Sequence, residues 1–513
     1  PIIQADHITA VQTMSANIAP LFSSMVSVYR VSNSHDVVYT GCCRGGRVIL
    51  PPQRPFPMPL RELVRFDGDS QSNRFMRLIR QYNSLFAFTS LGVDIDKSVN
   101  TGNGPYVFWI NGVVHHRIGS LLPPDGKRPE FAQLYIHDTH NEVQNRLNIF
   151  SPEGDDVPDP AIVSELISML DEHNPLVQKF RMARDRLLSP DSPDIVIKLR
   201  GVLDGHGDRY SMPSASELGA LIIGSPSPEE SNFDVVVETR SSQLKSVSPI
   251  HPSLMALQYP LLFPYGEPGF YTPTKLTEDD GHASDRGTSS MYEFYAFAMH
   301  YRPDQPNPAL CFGRLSQQYQ VNAYSCVEAN KLNWYYFNQD LLRCETYQGI
   351  SDAIGQGMWG LKKTLPASHI GGKRYMQQNY HDCLAICCAY GPPHKFTTFT
   401  CNPKWPEIAE AISCEAGQKP SDRADMVVRV FHMKLDEYLT DIKEGRVFGP
   451  VHAVAHTNEF QKRGLPHSHI LVWQRDVSRE TTAEDVDRYI SAELPDPKVD
   501  PLGFSLSHLF KNL

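Results

Sequence analysis

The sequence predicts a mixed α/β fold of the α+β class, in which helices and antiparallel strands follow one another along the chain. In some segments apolar residues recur every three or four positions, as on one face of a helix. In others they alternate with polar residues, as on a strand. The chain has 513 residues, of which 41% are hydrophobic and 21% charged, so we expect two or three domains with a large buried core.

The first half of the chain mixes both patterns. Leu60 to Tyr82 has helical spacing that is interrupted near Gly68. Phe86 to Ile95 and Tyr106 to Ile118 resemble strands, and Asn111-Gly112 is a hairpin signal inside the second of them. Further helices and strands are predicted at residues 161–188, with a break at Pro175, and at 195–199, 233–238 and 291–348.

The aromatic run Trp334 to Phe337 ends the last of these helical segments. Such rings could stack on nucleobases, but at the end of a helix they more often pack into a core, which is the interpretation we favour.

The last third of the chain predicts an antiparallel sheet with helices on one face. Its helices and strands are expected at 376–390 (helix), 396–401 (strand), 421–444 (helix, with Ser421 as its N-cap), 451–459 and 467–473 (strands), and 483–492 (helix).

His467 and His469 stand two residues apart on the last predicted strand, so their imidazoles point to the same face. Glu459 ends the preceding strand and would approach them across the hairpin. Two imidazoles and one carboxylate, with coordination positions left open, suit a catalytic metal site. On the His-x-His pair alone we favour two ordinary strand histidines, and it is the setting that raises the metal site: a strand, a turn with Lys462 and Arg463, and a carboxylate eight residues before His467.

The run NEFQKRGLPHSHILVW around these histidines resembles the histidine–hydrophobe–histidine (HUH) motif of rolling-circle replication endonucleases, with Ser468 at the hydrophobe position. In detail it is similar to the Helitron transposase version. FTTFTCNPKWPEI (396–408) resembles the first Rep motif of that family, and the segments at 251–270, 313–332 and 371–387 resemble further Helitron blocks in the same order.

The resemblance implies a domain organisation built around an HUH endonuclease core. The segments we expect are a fragment related to a zinc-finger-like region (1–50), a mixed α/β domain (51–275), a linker (276–290), a helical segment with a basic and aromatic stretch (291–380), the endonuclease core (381–503) and a divergent tail (504–513).

The resemblance also implies chemistry. Mg²⁺ or Mn²⁺ on His467, His469 and Glu459 would polarise a phosphate oxygen of single-stranded DNA, such as a transposon end. The family's nucleophile is a tyrosine pair, whereas Tyr489 is the single tyrosine after the motif and a weak candidate for that role. The residues expected to contact nucleic acid are Lys462, Arg463, Lys373, Arg374, Lys395, Lys404, Thr398 and Thr400.

The charge and composition of the chain limit the ligands that it is expected to bind. The net charge of −10 argues against nucleic-acid binding over the whole surface, but residues 355–404 form a local basic stretch with interleaved aromatics, as a single-strand channel needs. Without the neighbouring motifs, we would favour a solvated face with core aromatics as the interpretation of this stretch. No phosphate loop is present, because Leu361 stands where the loop lysine would be, so we expect no ATP site.

No run of eighteen apolar residues occurs, which predicts no membrane span. Ten unevenly spaced cysteines indicate a reducing compartment, and the resemblance implies the nucleus.

We therefore expect the N-terminal and metal-binding part of a Helitron-type replication initiator, a truncated copy that binds single-stranded DNA and a divalent metal without completing strand cleavage. One alternative is a catalytically silent nucleic-acid-binding or interaction protein. The other is a metal-dependent nuclease that uses water as its nucleophile.

Overall fold

The structure is a computed structural model. It consists of helices and small antiparallel sheets, and this confirms the predicted α+β class. It describes residues 29–31, 37–39, 43–95, 110–150, 157–188, 195–199, 219–223, 235–239, 245–271, 288–302, 307–343, 365–413, 415–460, 465–475, 482–484, 495–501 and 503–504. The chain divides into two compact units. The larger consists of residues 1–376, 401–430 and 460–465, and the smaller of residues 377–400, 431–459 and 466–513.

Among the described residues, the strands form four sheets. Their bounds are β1 (Tyr29–Val31), β2 (Val37–Tyr39), β3 (Ser90–Ile95), β4 (Ile110–Ile118), β5 (Ile195–Leu199), β6 (Gly219–Ile223), β7 (Val235–Glu238), β8 (Lys245–Val247), β9 (Lys395–Thr400), β10 (Val451–Phe460) and β11 (Pro466–Gln474). The sheets have the strand orders β1-β2, β3-β4-β8, β6-β5-β7 and β10-β11-β9.

The helices account for most of the remaining regular structure. Their bounds are α1 (Leu60–Leu63), α2 (Ser70–Phe86), α3 (Glu142–Leu147), α4 (Pro160–His173), α5 (Pro175–Leu187), α6 (Leu254–Gln258), α7 (Met291–Ala298), α8 (Pro308–Cys311), α9 (Arg314–Phe337), α10 (Gln339–Arg343), α11 (Lys373–Tyr390), α12 (Pro406–Ile412) and α13 (Ala424–Lys443). Among the described residues, none of these helices combines the length and the apolar character needed to cross a bilayer.

Two predicted helix breaks in the larger unit are confirmed. α1 and α2 are separated around Gly68, and Pro175 starts α5 directly after α4. The Asn174 side chain accepts hydrogen bonds from the backbone N–H groups of Leu176 and Val177, which caps α5. Proline is compatible with the first position of a helix, because the N–H group it lacks has no partner within the helix there.

The predicted hairpin turn at Asn111-Gly112 is wrong. Both residues lie inside the continuous strand β4, and Asn111 is paired with Asp94 of β3. The ladder shifts its register between Gly92 and Asp94. β4 pairs with β3 along most of its length and, from His116 onward, also with β8, and this pairing overrides the local turn preference.

The prediction that the aromatic run at the end of α9 packs into a core is also wrong. Trp334 and Tyr336 are each 52% exposed, and Phe337 is 80% exposed. The buried residues of α9 lie between Leu315 and Val327. The aromatic run therefore lies beyond the part of α9 that packs against the core.

A buried arginine lies in the core of the larger unit. The Arg146 side chain is fully buried, and its Nη2 lies 2.6 Å from Glu142 Oε1. Its guanidinium lies over the Tyr135 ring, 4.4 Å from the centroid, and donates to the backbone carbonyl of Leu85. Arg181 pairs with the second oxygen of Glu142 at 2.8 Å. A buried charge is tolerated when partners of this kind surround it.

In the smaller unit, α13 covers one face of the sheet β10-β11-β9. Phe399 of β9 packs against Phe431 and Tyr438 of this helix, with ring centroids 5.7 and 5.3 Å apart. The buried residues of this part of α13 recur every three or four positions: Phe431, Leu435, Leu439 and Ile442. The helix begins at Ala424, after a 3₁₀ turn that contains Ser421, so the predicted N-cap lies too early.

We expect the Arg146→Met variant to lower the free energy of unfolding by about 3 kcal/mol, because it leaves the buried Glu142 carboxylate with less compensation. Urea denaturation followed by circular dichroism measures the change. The control is Arg65→Met, which removes an exposed arginine paired with Glu62 and Asp67 and should change stability little. Equal effects of the two substitutions would contradict a special role for the buried charge.

Candidate metal centre

The pairing of β9 with β11 places two histidines and two threonines on one face of the sheet. His467 lies opposite Thr400, and His469 lies opposite Thr398. Directly paired residues of antiparallel strands project to the same face, and so do residues two apart on one strand. All four side chains therefore share the face that α13 does not cover.

Glu459, near the end of β10, completes this group. Its Oε1 lies 3.0 Å from Nε2 of His469. One ligand atom each from Glu459, His467 and His469 can be chosen so that all three lie within 4.8 Å of one another. In the part of the chain that the structure describes, this is the one group of three His, Cys, Asp or Glu residues with such spacing.

His467 is the more enclosed of the two imidazoles, with 8% of the residue exposed. Its Nδ1 lies 2.7 Å from Oγ1 of Thr400. A hydrogen bond at one ring nitrogen fixes the orientation of an imidazole and leaves the other nitrogen for a ligand. Thr400 thus holds His467 with Nε2 available.

The electrostatic surroundings of His467 favour its neutral form. Burial lowers the pKa of this imidazole below its usual range, and the nearby His469 lowers it further. The Glu459 carboxylate acts in the opposite direction and raises the pKa. A neutral imidazole is the form that binds metal ions, so a lowered pKa suits a ligand.

His469 is more open, with 35% of its side chain exposed. Its ring lies almost parallel to that of Phe396, with an angle of 16° and a centroid distance of 5.6 Å. It meets the His467 ring edge to face at 4.7 Å. Nδ1 of His469 is buried and lacks a hydrogen-bond partner among the described residues, whereas Nε2 lies beside the Glu459 carboxylate.

The opposite face of β11 explains why the strand folds in this register. Ser468, Ile470 and Val472 all have 0% exposure. Burying such a face favours one register strongly, because a shift by one residue would bring the histidines into the core. Trp473 anchors the end of the strand: it is fully buried and its Nε1 donates to the backbone carbonyl of Gly391 at 2.9 Å.

The other predicted site residues are distributed differently. Thr398 and Thr400 share the face of the histidines, whereas Lys395 belongs to the opposite set of β9 side chains. Lys373, Arg374 and Lys404 belong to the larger unit. Lys462, Arg463 and Tyr489 lie outside the described residues.

Phe396 is a residue of this face that the sequence analysis did not single out. It alternates with Thr398 and Thr400 along β9 and is 64% exposed. Because side chains alternate between the two faces of a strand, the pairing of β9 with β11 would have been enough to predict that Phe396 lies beside the histidines.

Two imidazole nitrogens and a carboxylate oxygen, open to solvent on one side, form a set of ligands that could hold a divalent transition metal or Mg²⁺. Such a centre acts on substrates that carry negatively charged oxygens.

One comparison with known proteins bears on this segment. Residues 294–472 match the family model described as the Helitron helicase-like domain at the N-terminus. The matched segment contains Glu459, His467 and His469. No curated protein matches the sequence.

We expect the imidazole of His467 to titrate with a pKa below the ordinary 6.5 in the metal-free protein, because burial disfavours its charged form. NMR of the histidine ring signals as a function of pH measures this value, and Glu459→Gln should lower it further by removing the one negative neighbour. A pKa at or above 6.5, or a rise in the variant, would contradict the described surroundings.

Proposed function

We propose that residues 294–472, which match the Helitron helicase-like domain at the N-terminus, bind single-stranded DNA at a divalent metal centre of the HUH endonuclease type. The observation that carries the proposal is the convergence of Glu459, His467 and His469 on the sheet face opposite α13. In this proposal the buried face of the sheet maintains the fold, and the open face receives the DNA.

The donor set fits the metal. The hydrogen bond between His469 Nε2 and Glu459 Oε1 brings together an imidazole and a carboxylate, two groups that would hold a divalent cation. His467, fixed by Thr400, supplies a third donor. A bound Mg²⁺ or Mn²⁺ would polarise a non-bridging phosphate oxygen and stabilise negative charge there.

The side chains around the three donors would orient the DNA. Thr398 is exposed beside His469, and a hydroxyl at this position can donate to a phosphate oxygen. Thr400 keeps the His467 ring in place, so that its other nitrogen faces the substrate. Neither role requires a base-specific contact, which suits binding to single strands of varied sequence.

Cationic residues would contribute the electrostatic attraction. Lys373, Arg374, Lys404, Lys462 and Arg463 remain our candidates for phosphate contacts, and Lys395 is a weaker candidate because of its place on β9. Transposon ends are the proposed DNA, and the nucleus is the proposed site of action. Binding through phosphates should weaken as salt concentration rises.

We expect Mn²⁺ to bind the protein at one site, and the His467→Ala/His469→Ala double variant to lose this binding, because two of its three donors are gone. Calorimetric titration measures both. The matched control is His452→Ala, which removes an exposed histidine of β10 whose ring stacks on Tyr390 and should leave the Mn²⁺ affinity unchanged. Equal Mn²⁺ binding by the wild type and the double variant would overturn the metal centre and favour the catalytically silent binder.

We expect Mn²⁺ to strengthen binding of a single-stranded oligonucleotide without yielding a protein–DNA adduct, in line with the expectation of binding without cleavage. Denaturing gel electrophoresis with 5′- and 3′-labelled oligonucleotides tests this. A covalent adduct would overturn that expectation and indicate a tyrosine nucleophile, with Tyr489→Phe as the next variant. Metal-dependent cleavage without an adduct would instead favour the nuclease that uses water.

A further inference from the structure

Phe396 presents a large apolar ring on the sheet face of the candidate metal centre, where its direct partner on β11 is the partly buried Leu471. Phe396 is 64% exposed, although aromatic side chains are favourable to bury and usually lie in cores. Its neighbours on the same strand face are Thr398 and then Thr400. Phe396 and Leu471 therefore form a small apolar surface beside the candidate metal centre, and Phe396 is its exposed part.

One side of this ring contacts a residue of the centre. Its plane lies within 16° of that of His469, and the two centroids are 5.6 Å apart, the offset stacking that aromatic rings prefer. The opposite residue on β11 is Leu471 rather than His469, so the stack is a diagonal contact across the strand pair. An exposed fraction of 64% leaves much of the ring to a ligand.

The size and setting of this surface select the kind of ligand. A protein partner would require a large continuous apolar patch, whereas the small apolar surface of Phe396 and the partly buried Leu471 is bordered by the hydroxyl of Thr398 and by the polar centre. A nucleobase matches it better, because a base has a flat apolar face and polar edges. A base on Phe396 would put its own phosphate group within the span of one nucleotide from His469.

We propose that Phe396 is a stacking platform for one nucleobase of the single-stranded DNA, positioning the neighbouring phosphate at the metal centre. This inference rests on the proposed function and assigns a contact within it. Phe396 is a positioning residue that holds the substrate in place and leaves the metal donors unchanged.

The structure offers a matched control in the same unit. Tyr390 also stacks on a histidine, His452, at 4.5 Å and 14°, and is 43% exposed. Neither Tyr390 nor His452 belongs to the three-donor group. A Tyr390→Ala variant thus removes an aromatic–histidine stack of the same kind without touching the centre.

The test measures binding of a fluorescent single-stranded oligonucleotide by anisotropy in the presence of Mn²⁺. We expect Phe396→Ala to weaken binding about tenfold, within the range for loss of one base stack. Phe396→Trp should retain wild-type affinity, and Tyr390→Ala should do the same. Circular dichroism of each variant checks that it is folded.

A series of oligonucleotides with a single abasic position identifies the stacked base. In the wild type, one position should weaken binding about as much as Phe396→Ala does. With Phe396→Ala that same position should have no further effect, because the ring and the base act together. Independent, additive losses would overturn the inference.

Calorimetry separates this role from two others. Phe396→Ala should still bind Mn²⁺ at one site with wild-type affinity, and loss of that site would mean that the ring only holds His469. Wild-type affinity for DNA in the alanine variant would overturn the inference while leaving the proposed function intact. Failure of the wild-type protein to bind single-stranded DNA would overturn both.

Discussion

The register between β9 and β11 is the constraint on which the smaller unit depends. It sets Thr400 opposite His467 and Thr398 opposite His469. It also places Phe399 on the other face of the sheet, where its ring packs against α13. A slip by one residue would exchange the two faces of the strand. The polar centre and the apolar packing are thus two results of one pairing.

β11 is the middle strand, so this pairing also determines what Glu459 can reach. β10 flanks β11 on its other side, and the carboxylate approaches His469 from there. The candidate centre therefore draws on all three strands: a threonine from β9, a carboxylate from β10 and the imidazoles from β11. Groups held by a paired sheet lose little conformational freedom when a ligand binds, which favours affinity.

Much of this centre could be predicted from the sequence because strand alternation is a local property. The shared face of His467 and His469 follows from their spacing. The approach of Glu459 to them follows from its position at the end of the preceding strand, before a short turn. The position of Phe396 could be predicted only with the strand register, because an aromatic residue on a strand is normally assigned to the core until the face it lies on is known. Lys395 shows the reverse: its charge suggested the site, and pairing put it on the other face.

The errors in the larger unit have a related cause. Asn111-Gly112 carries a strong local turn signal, yet β3 holds it in a straight strand. The rings after Trp334 have the composition of a core, yet the burial of α9 ends near Val327. Both outcomes depend on packing against residues outside the segment itself, which periodicity within a segment does not reveal.

Ser468 has a consequence for how such sites are found. It occupies the position between the two histidines where the HUH pattern has a hydrophobe, it is completely buried, and its hydroxyl donates to the backbone carbonyl of Thr457 at 3.3 Å. A small side chain whose hydroxyl is hydrogen-bonded to the backbone can be buried at this position as a hydrophobic residue can. Under the proposed function, a search that requires an apolar residue between the histidines would miss this chain, whereas a search that accepts any buried residue whose polar group is hydrogen-bonded would retain it.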